Sequence, residues 1–142
     1  MLELSVYGFT GTQQGLTPQQ RDVLEALFRN SAFSTLHHGD CIGADAEAHA
    51  IARTHGDFLI CIHPPTDSRK RAWCVGDIYY DPLPYLDRNK RIVKACTRLL
   101  ACPAEFSDVL RSGTWSTVRY ARLVGKPYTL IYPDGSTERN PA

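Results

Sequence analysis

The sequence predicts a doubly wound α/β fold, a parallel sheet of five strands with helices on both faces. Three observations carry this. Short β-prone runs alternate with helical stretches along the whole chain, and such alternation implies parallel strands joined by right-handed crossovers. The run at 57–62 is continuously apolar, as a strand covered on both faces should be. Two strand–glycine–helix junctions, at 36–45 and 111–117, share one design. A glycine turn that opens a helix leaves backbone N–H groups unpaired in a region of positive helix dipole, which suits an anion.

Length and composition bound the rest. At 142 residues the chain is expected to be one domain, 1–142, with a full core. A net charge of +1 gives no general attraction to nucleic acid or anionic membranes. No apolar run approaches the roughly 20 residues that span a bilayer. The first residues read as a strand carrying an acid, not as a signal peptide, so cytoplasmic residence is expected. Five cysteines, odd in number and without a C-x-x-C pair, argue against a disulfide framework and a structural zinc site. Cys61, Cys96 and Cys102 lie in apolar runs and read as small buried residues. Cys41, in the first glycine turn, reads as a small residue filling a tight turn before it reads as a nucleophile.

In chain order, residues 2–7 form the first strand, followed by a loop at 8–13 rich in glycine and hydroxyls. Thr17 caps the first helix, with Pro18 at its first position and Gln20 completing a capping box. Val23, Leu24, Leu27 and Phe28 follow at helical spacing, and Asn30 closes the helix. The second strand is 34–36. After the glycine turn an alanine-rich helix runs to about His55. The third strand, 57–62, stops at His63-Pro64-Pro65. Residues 66–84 show no sustained period and are too long for an ordinary connection, so they read as a surface excursion. Helix returns over 85–96 and strand over 99–102. A loop leads to the second glycine turn, helix follows over 116–123, and Gly125-Lys126-Pro127 ends it. The last strand is 128–132. A turn at 133–136 precedes a polar segment, 136–142, expected to be a mobile tail.

Ligands of doubly wound folds bind beyond the carboxyl ends of the strands. The loops at 8–13, 38–45, 63–71 and 111–117 all fall on that edge. His37 and His38 straddle a strand end and point to opposite sheet faces, so they do not converge on one ion, and no metal site is expected. His38 is the better ligand candidate, with His63 next. Lys70 and Arg71, with Arg69, form a basic run on the excursion. Arg88 with Asn89, and Arg111 before the second turn, are placed to neutralise phosphate. Asp40 is expected to meet a sugar hydroxyl or Mg²⁺, whereas Asp45 reads first as a helix-capping or first-turn acid.

The ordered set of motifs resembles the SLOG superfamily of Rossmann-like nucleotide-binding proteins, which includes the LOG phosphoribohydrolases, DprA and small bacterial and phage proteins. Gly39-Asp40-Cys41-Ile42-Gly43-Ala44-Asp45 is similar to the G-x-x-x-G-A-D motif of the small proteins, and Arg111-Ser112-Gly113-Thr114-Trp115 to their R-S-G-T-W. His63-Pro64-Pro65, Lys70-Arg71-Ala72 and the run from Pro84 to Asn89 extend the likeness over nearly the whole chain. The resemblance implies that Gly39, Gly43, Ala44, Ser112, Gly113 and Thr114 hold phosphate, with Gly8 and Thr10 beside them. It also implies a homo-oligomer. LOG enzymes carry a catalytic glutamate soon after the second motif. Here Trp115, Ser116, Thr117 and Val118 stand in that region. The expected function is therefore binding of a nucleotide or nucleotide-derived ligand at two glycine turns. The alternative is hydrolysis or transfer at a nucleotide N-glycosidic bond, with Asp40, Asp45 and Asp87 as candidate acids. Single-stranded DNA binding comes third, disfavoured by the near-neutral charge.

Overall fold

The structure is a computed structural model that describes residues 5–31 and 34–141. Seven strands, β1 Val6–Gly11, β2 Ser34–His38, β3 Phe58–Ile62, β4 Ile78–Tyr79, β5 Arg98–Cys102, β6 Tyr128–Ile131 and β7 Thr137–Asn140, form one sheet in the order β4-β3-β2-β1-β5-β6-β7. All neighbours pair in parallel except β6 and β7. Helices α1 Pro18–Arg29 and α2 Ala44–His55 pack together on one face, and α3 Tyr85–Ala95 and α4 Gly113–Leu123 on the other. The chain winds outward from β1 to β4, then crosses back to β5. The switch point therefore lies between the carboxyl ends of β1 and β5, where doubly wound folds bind ligands.

Two apolar layers hold the helices to the sheet. On the α1–α2 face, Leu24 and Phe28 of α1 meet Tyr7, Leu36, Phe58 and Ile60, and Phe28 packs edge-on against Phe58 with ring centroids 4.8 Å apart. Burying each such side chain contributes about 1.5–3 kcal/mol. On the other face Ile92 and Val93 of α3 and Trp115 and Val118 of α4 cover Leu99, Ala101 and Leu130. The capping box at Thr17 and Gln20 forms as its spacing predicts. Gln20 does more than cap. Its amide also donates to Pro103 O and Ile131 O, both at 2.9 Å, tying α1 across the switch point.

Five strands were expected and seven form among the described residues. β4 is two exposed residues of the excursion, aligned by the edge of β3. β7 forms where a polar tail was expected. The turn before it returns the chain as a hairpin, so Thr137–Asn140 complete the antiparallel ladder of β6. The first strand is also shifted. It reaches Gly11, so Gly8 and Thr10, expected in a loop, lie inside it. Residues 2–4 of the expected strand lie outside the described residues. α4 begins at Gly113, three residues before the expected start, because Ser112 caps it.

Candidate ligand-binding cleft

At the switch point a cavity of about 530 Å³ opens between the β1–α1 loop, the first glycine turn, α3, and the segment from β5 to α4. It brings together Thr10, Gly39, Lys70, Arg88, Asn89, Arg111, Ser112, Gly113 and Thr114 from the expected ligand set, and Asp45 from the candidate acids. It also holds groups outside the expected ligand set: Gln13 and Gln14 of the β1–α1 loop, Cys41 and Tyr85, and Glu105 after β5.

The second glycine turn presents an open helix terminus. Ser112 Oγ accepts from Trp115 N at 3.2 Å, which caps the helix and commits the serine. The N–H groups of Gly113 and Thr114 have no acceptor among the described residues. A Cβ at Gly113 would meet nothing within 4 Å, so a ligand could approach the backbone closely there. Arg111 and Lys70 stand at the rim, both exposed, and their side chains have no ion-pair or hydrogen-bond partner among the described residues.

The first glycine turn differs. Five of its backbone donors are spent within the protein: Gly39 and Cys41 N–H go to the Asp45 carboxylate, Asp40 N–H to His38 Nδ1, Ile42 N–H to Lys70 O, and Ala44 N–H to Thr12 O. Gly43 makes the turn possible. It has φ +92°, and a Cβ there would lie 2.4 Å from Gln13 O, because the β1–α1 loop crosses directly over the start of α2. The Asp45 side chain thus takes two donors of the turn that an external anion would otherwise meet. Burial dominates its titration and raises its carboxyl from 3.8 to about 6, against the lowering influence of Arg88 and the two N–H donors.

Arg88 is the buried cation of the cleft. It crosses over Gly39, where a Cβ would fall 2.5 Å from its Nη1, so only glycine leaves room for it. Nη1 donates to Gly39 O at 2.6 Å and His63 O at 3.1 Å, and Nε donates to Asn89 Oδ1 at 2.7 Å. Nη2 reaches only Cys41 Sγ, at 3.7 Å. Among the described residues no carboxylate comes within ion-pair distance. A desolvated guanidinium left this way favours an anion nearby. Burial, and then the Asp45 charge, raise the Cys41 thiol, so it stays protonated and is not set up as a nucleophile.

Seven expected ligand residues, and the candidate acid Asp87, lie away from the cleft walls. Gly8 sits under α3, where a Cβ would meet Cys96 Sγ at 2.9 Å. Gly43 and Ala44 are covered by the β1–α1 loop. Asp87 is exposed on the first turn of α3. Asp40 is fully buried, and both its oxygens are occupied: Oδ2 accepts from Arg71 Nε at 2.7 Å and Oδ1 from Cys74 N at 2.9 Å. It clamps the excursion to β2 and does not fit the expected sugar or Mg²⁺ role. Arg71 is held in that clamp.

Four of the five histidines form two pairs, one on each face. His37 Nδ1 and His63 Nε2 lie 2.8 Å apart, with Tyr80 stacked on His63 at 4.3 Å. Burial drives His63 down to about 3. His38 Nε2 and His49 Nδ1 lie 2.9 Å apart, and with Cys74 Sγ they form a group whose donor atoms lie within 4.8 Å of one another. By residue type the group suits a soft metal. Its hydrogen bonds oppose one. Asp40 N–H occupies His38 Nδ1, so His38 carries its proton on Nε2 and turns an N–H, not a lone pair, toward His49. Burial, then the hydrogen bond to Asp40, raises the Cys74 thiol to about 12.

Solved proteins that share this fold include two of known source. The molybdenum cofactor binding protein from the phototrophic bacterium Rippkaea orientalis is 22% identical with a TM-score of 0.70, over 93% of this chain and 78% of that one. DNA processing protein A from Streptococcus pneumoniae is 18% identical with a TM-score of 0.64, over 90% of this chain and 50% of that one, so this chain spans half of its length. At these identities the likeness is one of fold. It is the Rossmann-like, doubly wound fold that the alternation of strands and helices implies. No protein-family model matches the chain, and no curated protein matches its sequence. Among the described residues, no helix is long and apolar enough to cross a membrane.

Proposed function

We propose that the protein binds a nucleotide or nucleotide-derived ligand in the switch-point cleft, with a phosphate at the start of α4. The observation that carries the reading is that Lys70, Arg88 and Arg111 line the same cavity as the free N–H groups of Gly113 and Thr114. Thr10, Asn89 and Gln13 offer polar groups for ribose and base. A neighbour of the same fold that binds a cofactor is in keeping with a small-ligand site. Thermal unfolding with AMP, ADP-ribose, NAD and cyclic dinucleotides tests it. A ligand at about a hundred times its Kd stabilises by roughly 2.7 kcal/mol. The Lys70→Ala and Arg111→Ala variants should lose most of that shift. No shift with any of these compounds, beside a salt-dependent mobility shift with single-stranded oligonucleotides, would replace this reading with the nucleic-acid one.

A second reading, cleavage of a nucleotide N-glycosidic bond, is favoured by the acids in the cleft. Asp45 and Glu105 line the same cavity as the phosphate-binding groups. In this reading the protonated Asp45 gives its proton to the departing base nitrogen as the C1′–N bond breaks. Glu105 takes the proton of the water that attacks C1′, and exchange with solvent restores both groups. Release of free base from nucleoside monophosphates, lost in both Asp45→Asn and Glu105→Gln, is the expected result. Binding without release leaves the first reading alone.

A further inference from the structure

We infer that the protein has a second ligand site, at the opposite end of the sheet from the cleft, and that it takes a small amphipathic acid, a carboxylate carried on an apolar body. The site stands apart from the nucleotide reading. A cavity of about 530 Å³ lies toward the amino ends of β1, β5 and β6, on the sheet face that carries α1. Its origin is topological. The crossovers to β2 and β3 place α1 and α2 on this face, and those to β5 and β6 place α3 and α4 on the other. Past α1, the β5–β7 half therefore has no helix of its own on this side among the described residues. A cavity of roughly 300–1,000 Å³ with an apolar lining and a few placed polar groups is the usual form of a small-ligand site.

The walls divide into an apolar part and a cationic part. Leu100 and Ile131 form the sheet floor, and Val23 and Leu27 of α1 stand beside them. The cations are Arg98 and Arg139. Arg139 reaches this face because β7 pairs it with Thr129, which shares the cavity wall. No Asp or Glu lines the cavity, and neither guanidinium has a carboxylate within ion-pair distance among the described residues. Arg98 is also held in place. Its Nη1 donates to Tyr128 O at 2.9 Å and to Thr129 Oγ1 at 3.3 Å. That leaves the Nε–Nη2 edge with no acceptor among the described residues. This edge is the fork that grips a carboxylate through two parallel N–H donors. Burial, and then the Arg139 charge, lower the Arg98 pKa. An anion bound beside both guanidiniums offsets that repulsion. A bare inorganic anion would leave the apolar floor in water, whereas an acid with an aliphatic body covers it.

The test is a titration of isotope-labelled protein, followed through its amide NMR shifts, with octanoate, octanol and acetate. These carry charge and body together, body alone and charge alone. Octanoate should shift the amides of Arg98, Thr129 and Arg139 and leave that of Gly113 in the cleft unmoved. Octanol and acetate should each bind at least about tenfold more weakly. Arg98→Gln should weaken octanoate at least about tenfold, because the fork is lost. Arg139→Ala, on the exposed edge strand, should weaken it about two- to fivefold. Octanol or acetate binding as tightly as octanoate overturns the amphipathic acid, and that comparison needs only the wild type. Unchanged octanoate affinity in both arginine variants also overturns it, as do shifts at Gly113 with none at Thr129.

Discussion

Trp115 Nε1 donates a hydrogen bond to Glu105 Oε1 at 3.0 Å. The indole is almost fully buried in the α3–α4 layer, so the core itself fixes a carboxylate on the cleft wall. Trp115→Phe keeps an aromatic ring and removes the donor. It should lower stability by about 1–3 kcal/mol. Glu105→Gln keeps an acceptor oxygen and should cost less. Urea unfolding of the two variants checks this, and a neutral Trp115→Phe would mean that the indole does not hold the carboxylate.

Asp45 predicts a pH dependence of stability. Its carboxyl titrates at about 6 in the folded protein, against 3.8 when unperturbed. The folded state therefore keeps a proton that the unfolded chain loses, and this contribution is complete below the unfolded value and lost as pH rises through about 6. A shift of this size corresponds to about 3 kcal/mol. Between pH 4 and pH 8 the wild type should lose most of that relative to Asp45→Asn, which has nothing to titrate. Parallel urea-stability curves for the two proteins would contradict the raised value.

Asp40 sets the position of the excursion. Its carboxylate is wholly buried, and its Arg71 partner is 15% exposed. Asp40→Ala leaves that guanidinium without its partner and should cost about 3–5 kcal/mol. Asp40→Asn retains acceptor oxygen and tolerates the positive φ of +58°, so it should cost less. Hydrogen exchange locates the effect. The Cys74 amide, bonded to Asp40 Oδ1, should lose protection first.

Two glycines separate packing from ligand contact. Gly8→Ala forces a methyl against Cys96 Sγ and Ile92 and should destabilise by about 1–3 kcal/mol. Gly113→Ala meets no protein atom and should leave stability unchanged or slightly raised, while weakening phosphate-bearing ligands at the start of α4. Unfolding and titration on the same pair of variants read both effects.

Much of the cleft was legible before any coordinates. Arg88, Asn89 and the 111–114 turn were expected at the strand ends, and they line one cavity. Glu105 was missed because nothing in its neighbourhood marks it. Its placement depends on an indole ten residues away in sequence. The metal-like group of His38, His49 and Cys74 was also invisible, since its members come from β2, α2 and the excursion.

What the sequence by itself determined is what neighbouring residues decide among themselves. Helix spacing, the Thr17–Gln20 capping box, the apolar run of β3 and the stops at Pro64 and Pro103 all act over a few positions, and the fold class follows from their order. Only the tertiary structure decided which backbone groups stay free. The two glycine turns look alike in sequence. In the fold, Thr12 O, Lys70 O, the His38 ring and the Asp45 carboxylate take up five donors of the first, while Gly113 and Thr114 of the second meet no such acceptors among the described residues. The two edge strands follow the same rule. β4 and β7 have exposed side chains and no burial pattern of their own, and they form because β3 and β6 offer unpaired ladders beside them. Hydrogen-bond satisfaction is a property of the whole fold, and local periodicity carries no record of it.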